Sequence, residues 1–119
     1  MIDAILVVLC GGIGACGRFA VDAVIQSRLR SEFPVGTLAV NLTGCFALGV
    51  LYGAHASQQL TLLLGTATLG SYTTFSTLML ETHRPAEEGE PGLAWRNLSI
   101  SLAAGLAAAA LGTLTGGAL

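Results

Sequence analysis

Between Glu32 and Glu81 no residue carries a charge. A run of that length can cross a ~30 Å hydrocarbon layer twice, at about 20 residues per helix. A soluble domain averages ~25% charged residues, whereas this chain of 119 residues is 10% charged and 53% hydrophobic. Apolar stretches on either side of the central run add two more crossings. The expected architecture is an all-α membrane protein: one domain over residues 1–119 with four transmembrane helices, at about 2–25, 36–56, 60–80 and 97–116. The net charge is −2 and there is no Lys, which excludes a basic surface for nucleic acid. Cys10, Cys16 and Cys45 all stand in apolar stretches and read as small buried hydrophobes, neither a disulfide framework nor a zinc set.

In the first span Gly11, Gly12, Gly14, Ala15 and Gly17 form a small-residue patch suited to close helix contact. Ile13-Gly14-Ala15-Cys16 looks like a lipoprotein cleavage box. Asp3 and the lack of an early Lys or Arg argue against a signal peptide. Arg18 has Asp22 four residues on, so the two share a helix face and can pair. The guanidinium either snorkels to the interface or stands at a vestibule mouth, where it attracts anions.

Within the central run, Gly70-Ser71-Tyr72-Thr73-Thr74-Phe75-Ser76-Thr77 is anomalous: five of its eight residues carry an aliphatic hydroxyl. Gly and Thr form helices poorly, and the hydroxyls compete for backbone hydrogen bonds. A continuous helix is not expected there. Unwound backbone at membrane depth survives only inside protein or beside a wet cavity, where free carbonyls and half-helix ends can hold ions. The plainer alternative is a Ser/Thr-rich helix packed on a neighbour.

The second span has one strongly polar residue, Asn41. Thr37, Asn41 and Cys45 follow at four-residue steps on one face, with Gly44 and Leu48 beside it. Asn41 either clamps two helices or offers its amide to an anion. Gly49-x-x-x-Gly53 is a close-contact signature. The short loop from His55 to Gln59 makes spans two and three antiparallel neighbours, and Glu81 to Pro91 reads as a charged loop. In the fourth span Asn97, Ser101, Gly105, Ala109 and Thr113 form a small or polar row that faces protein or pore rather than lipid. His55 and His83 sit in loops without metal-ligand spacing, and no enzyme constellation is present.

Two stretches, Pro34-Val35-Gly36-Thr37-Leu38-Ala39-Val40-Asn41-Leu42-Thr43-Gly44 and the run from Gly70 to Thr77, resemble the Fluc (CrcB) family of fluoride channels. Gly11 to Phe19 looks like that family's first-helix signature. The resemblance implies a passive fluoride exporter, not an enzyme, spanning the cell (inner or plasma) membrane several times. It implies a third helix broken mid-membrane and an antiparallel dimer with two pores and a structural sodium ion at its interface. Asn41, Phe75, Ser76, Thr77 and Ser101 would line the fluoride pathway, and Gly70 and Thr73 would hold sodium through their backbone carbonyls. Arg18 is the vestibule candidate.

The chemistry is consistent with that resemblance. Fluoride is small and strongly hydrated, so it needs dense donors once it leaves water. Hydroxyls and an Asn amide supply them without fixed charge, and a ring edge is the positive part of the aromatic quadrupole. The family usually places a second Phe three residues after the first, where this chain has Leu78. Leu78 keeps open a non-conducting partner subunit. A small multidrug-type transporter would need a buried carboxylate in the first span, and Ala4 to Gly17 has none. With four spans, Arg28, Arg30, Arg84 and Arg96 fall on one side of the membrane and no Lys or Arg on the other. Such a bias fixes orientation. The favoured second subunit is therefore a paired, oppositely oriented paralogue rather than a second copy of this chain.

Overall fold

Several helix ends in the chain have a local cause. The structure is a computed structural model that describes residues Met1–Leu119. Helix α1 runs Ile2–Arg28, with Asp3 in its first turn and Arg28 in its last, both favourable to the helix dipole. Helix α2 runs Val35–Gly53 behind Pro34. His55, with φ 50°, turns the chain, and the Ser57 hydroxyl caps the next helix by accepting from the Leu60 N–H at 3.3 Å. That helix, α3 (58–72), opens with the α-helical turn Gln58–Leu60. It widens into π-helix over Thr61–Leu69 and closes with Gly70–Tyr72. Helicity resumes in α4, Ser76–Glu87. Gly89, with φ 87°, makes the next turn, and α5 runs Pro91–Gly117 with Pro at its start, where the missing N–H costs nothing.

Residues 3–28, Val35–Gly53 and Pro91–Gly117 are each long and apolar enough to cross a membrane. Helix boundaries differ from the sequence expectation at the polar ends. The segment read as a loop from Glu81 is helical to Glu87 with Pro85 inside it, and the last helix starts at Pro91, six residues before Asn97. Charge and proline do not stop this helix. Near a helix end few carbonyls remain to be robbed of donors, so Pro85 is tolerated.

Helices α2 and α5 make the closest pair. A Cβ on Gly49 or Gly53 would run into the backbone at Ala109 or Thr113. Reciprocally, one on Gly112 or Gly116 would meet the backbone at Phe46 or Val50. The Gly49-x-x-x-Gly53 signature thus has a matching Gly112-x-x-x-Gly116 on its partner. On the other side α3 packs chiefly on α1, where Gly14 abuts the Thr68 backbone and Gly11 lies near the Ser71 hydroxyl. It also touches α2, though α1 is its main neighbour. The expected ion pair between Arg18 and Asp22 does not form. Among the described residues the one close approach of a basic and an acidic side chain is exposed His83–Glu87, at 3.6 Å. Asp22 turns instead toward Gly36 on α2.

The hydroxyl-rich turn and its two cavities

At Thr73 the backbone is extended, with φ −74° and ψ 158°. Thr73, Thr74 and Phe75 connect α3 to α4, and side chains take over the hydrogen bonds that an unbroken helix would make. The Thr74 N–H, which would be aimed at the Gly70 carbonyl, donates to Asn41 Oδ1 at 2.8 Å. Asn41 Nδ2 donates back to the Thr74 carbonyl, also at 2.8 Å. The Thr77 N–H, which would be aimed at the Thr73 carbonyl, donates to Thr74 Oγ1 at 3.2 Å. The helical donors of Gly70 and Thr73 are therefore both diverted, and their carbonyl oxygens are available to an electropositive ligand. No group of three His, Cys, Asp or Glu side chains capable of holding a metal occurs among the described residues.

Two cavities flank this turn. The larger, about 390 Å³, is lined by Asn41, Gly70, Thr73, Phe75 and Ser101, with Cys45, Gly105 and Ala109 among the other walls. No charged residue lines it. Phe75 is 68% exposed, whereas Leu78 on the same wall is only 5% exposed. The smaller, about 220 Å³, is lined by Arg18, Phe19, Asp22, Thr37, Val40, Thr74 and Thr77. Thr74 borders both. The Thr74 hydroxyl donates to Thr77 Oγ1 at 3.1 Å and lies 3.3 Å from Ser76 Oγ. The structure thus divides the candidate residues. Asn41, Gly70, Thr73, Phe75 and Ser101 share the large cavity, and Arg18 and Thr77 share the small one. Ser76 lines neither and reaches the cluster through Thr74.

Three contributors escaped the sequence reading. Thr74 was one hydroxyl among five, with nothing to mark it as the hub. Thr37, flagged only by its place on the Asn41 face, donates to Glu81 Oε1 at 2.9 Å and closes one side of the small cavity. Asn97, noted within a small-residue row, is 1% exposed and bonds Thr82.

An all-helical chain with three long apolar helices, and with uncharged donors around a turn between shorter ones, is a multi-pass membrane protein. The chain belongs to the CrcB family: the model described as CrcB-like protein, Camphor Resistance (CrcB), matches residues 5–113. It is 48% identical over 106 residues to the fluoride-specific ion channel FluC 2 of Mycolicibacterium paratuberculosis, covering 89% of this chain and 87% of that one. It is 49% identical over 106 residues to the FluC 2 of Mycobacterium tuberculosis, covering 89% and 84%. It is 43% identical over 112 residues to the fluoride-specific ion channel FluC 1 of Rubrobacter xylanophilus, covering 93% and 90%.

Proposed function

We propose that the chain is a subunit of a fluoride-selective channel in the plasma membrane, through which fluoride leaves the cytoplasm passively. The match to fluoride channels over nearly the whole chain carries this reading. The chemistry of the large cavity supports it. Asn41 spends one amide N–H on Thr74 and keeps the other for an anion. Phe75 and Ser101 stand on the same wall without a fixed cation that would trap the ion. Thr77 and Arg18 border the small cavity and serve as the path's approach.

In this reading α3 and α4 together make the third crossing, with the turn at Thr73 lying mid-membrane. The subunits pair antiparallel. A sodium ion at the interface suits the Gly70 and Thr73 carbonyls, whose helical donors are diverted. It would supply a fixed positive field beside the path, and burial would keep that field from being screened. The test is anion efflux from proteoliposomes, with any required second subunit added. Rapid fluoride loss with negligible chloride loss is expected; equal rates for both ions sink the reading.

A second reading, a subunit that completes a dimer but leaves one pore silent, is favoured by Leu78. An apolar side chain without a quadrupole lines the large cavity there. Leu78→Phe raising fluoride flux through the same dimer would support it.

A further inference from the structure

We propose that Asn97 is a positioning residue of the anion path: it holds the Ser101 hydroxyl in a long, weak hydrogen bond, from which the proton can turn toward an anion in the large cavity. The inference rests on the channel reading.

Hydroxyls inside a helix usually donate to the backbone carbonyl four residues back. Thr43, Thr73, Thr82, Thr113 and Thr115 all do so here, at 2.8–2.9 Å. Ser101 does not. Its acceptor is the side-chain oxygen Asn97 Oδ1, at 3.5 Å, well beyond the ~2.5–3.0 Å of an ordinary O–H···O bond. Releasing that bond costs little, and an anion offers a charge-assisted one about twice as strong.

The orientation of the Asn97 amide follows from its other neighbour. The Thr82 hydroxyl donates to the Leu78 carbonyl at 2.8 Å, so Thr82 can only accept from Asn97. The Asn97 amide therefore presents Nδ2 to Thr82, at 2.9 Å, and leaves Oδ1 for Ser101. The chain of bonds starts at Ser101, passes behind the cavity wall through α5 and α4, and ends at Leu78. Ser101 and Leu78 both line the large cavity. Without Asn97 Oδ1, the Ser101 proton would fall into a shorter bond with the backbone carbonyl four residues back and point away from the path.

A double-mutant cycle tests this on reconstituted channel, with any required second subunit present. Asn97→Ala and Ser101→Ala should each lower maximal fluoride efflux by about tenfold, a barrier change of about 1.4 kcal/mol. The double variant should be no slower than either single one. Thr82→Val cuts the same chain from the far side while leaving Asn97 in place, and its loss should vanish in the Ser101→Ala background. If the losses multiply in either pair, Asn97 is merely a bracket between helices and the inference is overturned. An unaltered channel that carries no fluoride overturns the channel reading and takes this inference with it.

Discussion

Phe75 and Asn41 stand on the same cavity wall, yet they are fixed in different ways. The Phe75 ring is open to the cavity and only its backbone is hydrogen-bonded, the carbonyl accepting from the Met79 N–H at 2.9 Å, so the role of the ring is tested by removing the quadrupole while keeping the bulk. Phe75→Ile should lower fluoride efflux at least about tenfold while the protein still assembles, since volume-conserving apolar exchanges cost under about 1.5 kcal/mol. Native-rate efflux from that variant would make Phe75 a packing residue. Asn41 is tied on both sides of its amide to the backbone of Thr74. Asn41→Ala would leave a buried N–H and carbonyl unpaired, at about 1–3 kcal/mol. Asn41→Asp would keep the acceptor for the Thr74 N–H but set a carboxylate oxygen against the Thr74 carbonyl. Both variants should therefore lose stability as well as flux, read as melting temperature in detergent and as efflux. An Asn41→Ala protein of native stability that loses flux alone would show that the clamp contributes nothing. Sequence showed the polar face of the second span but left open whether Asn41 clamps or donates. The geometry shows the clamp; the second amide N–H is the one that the channel proposal assigns to an anion.

At the scale of elements, the turn between α3 and α4 was legible because five hydroxyls and a Gly in a charge-free run cannot all be lipid-facing helix. The π-helical form of Thr61–Leu69 was not legible: no residue type marks a π-helix, and its apolar sequence fits an α-helix equally well. The end of α4 was misread for the opposite reason. Its charges and Pro85 look like a loop, while the backbone goes on in helix to Glu87. The turn's two diverted donors support a cation at Gly70 and Thr73. Replacing sodium by a large organic cation should then lower both dimer stability and fluoride flux; if neither changes, the sodium proposal fails. The α2–α5 seam has no room for side chains at its four glycines. Gly49→Leu or Gly112→Leu should cost at least about 1–3 kcal/mol by overpacking, visible as a lower melting temperature. Gly12, where a Cβ would meet nothing within 4 Å, is the control site for Gly→Ala, with little change expected.

At the scale of the molecule, the placement of the arginines predicts how the chain sits in the membrane. Arg96 stacks on the Phe33 ring at 5.4 Å, so the start of α5 and the α1–α2 connection are at the same end. Arg84 lines a cavity there with Gln26, Ser31 and Glu90, which puts Arg28, Arg30, Arg84 and Arg96 at that end. The opposite end has the N-terminus, the turn at His55 and the C-terminus, and among its residues there is no Lys or Arg. Cationic residues in short loops stay on the cytoplasmic side. A four-to-none bias should therefore fix one orientation, with both termini outside. If the proposed pairing is antiparallel, a chain that enters the membrane only one way cannot supply both halves, and the proposed second half is a chain of opposite bias. Leu78 agrees with this, because a self-pair would lack the second ring at both equivalent positions. Expressed alone with a topology reporter at its C-terminus, this chain should give a signal from the outside only. Reconstituted alone it should carry little fluoride, and a co-expressed short paralogue with Lys and Arg on the opposite loops should restore the flux. Equal inside and outside signals, together with full fluoride efflux from the single purified chain, would show instead that it inserts both ways despite its arginines.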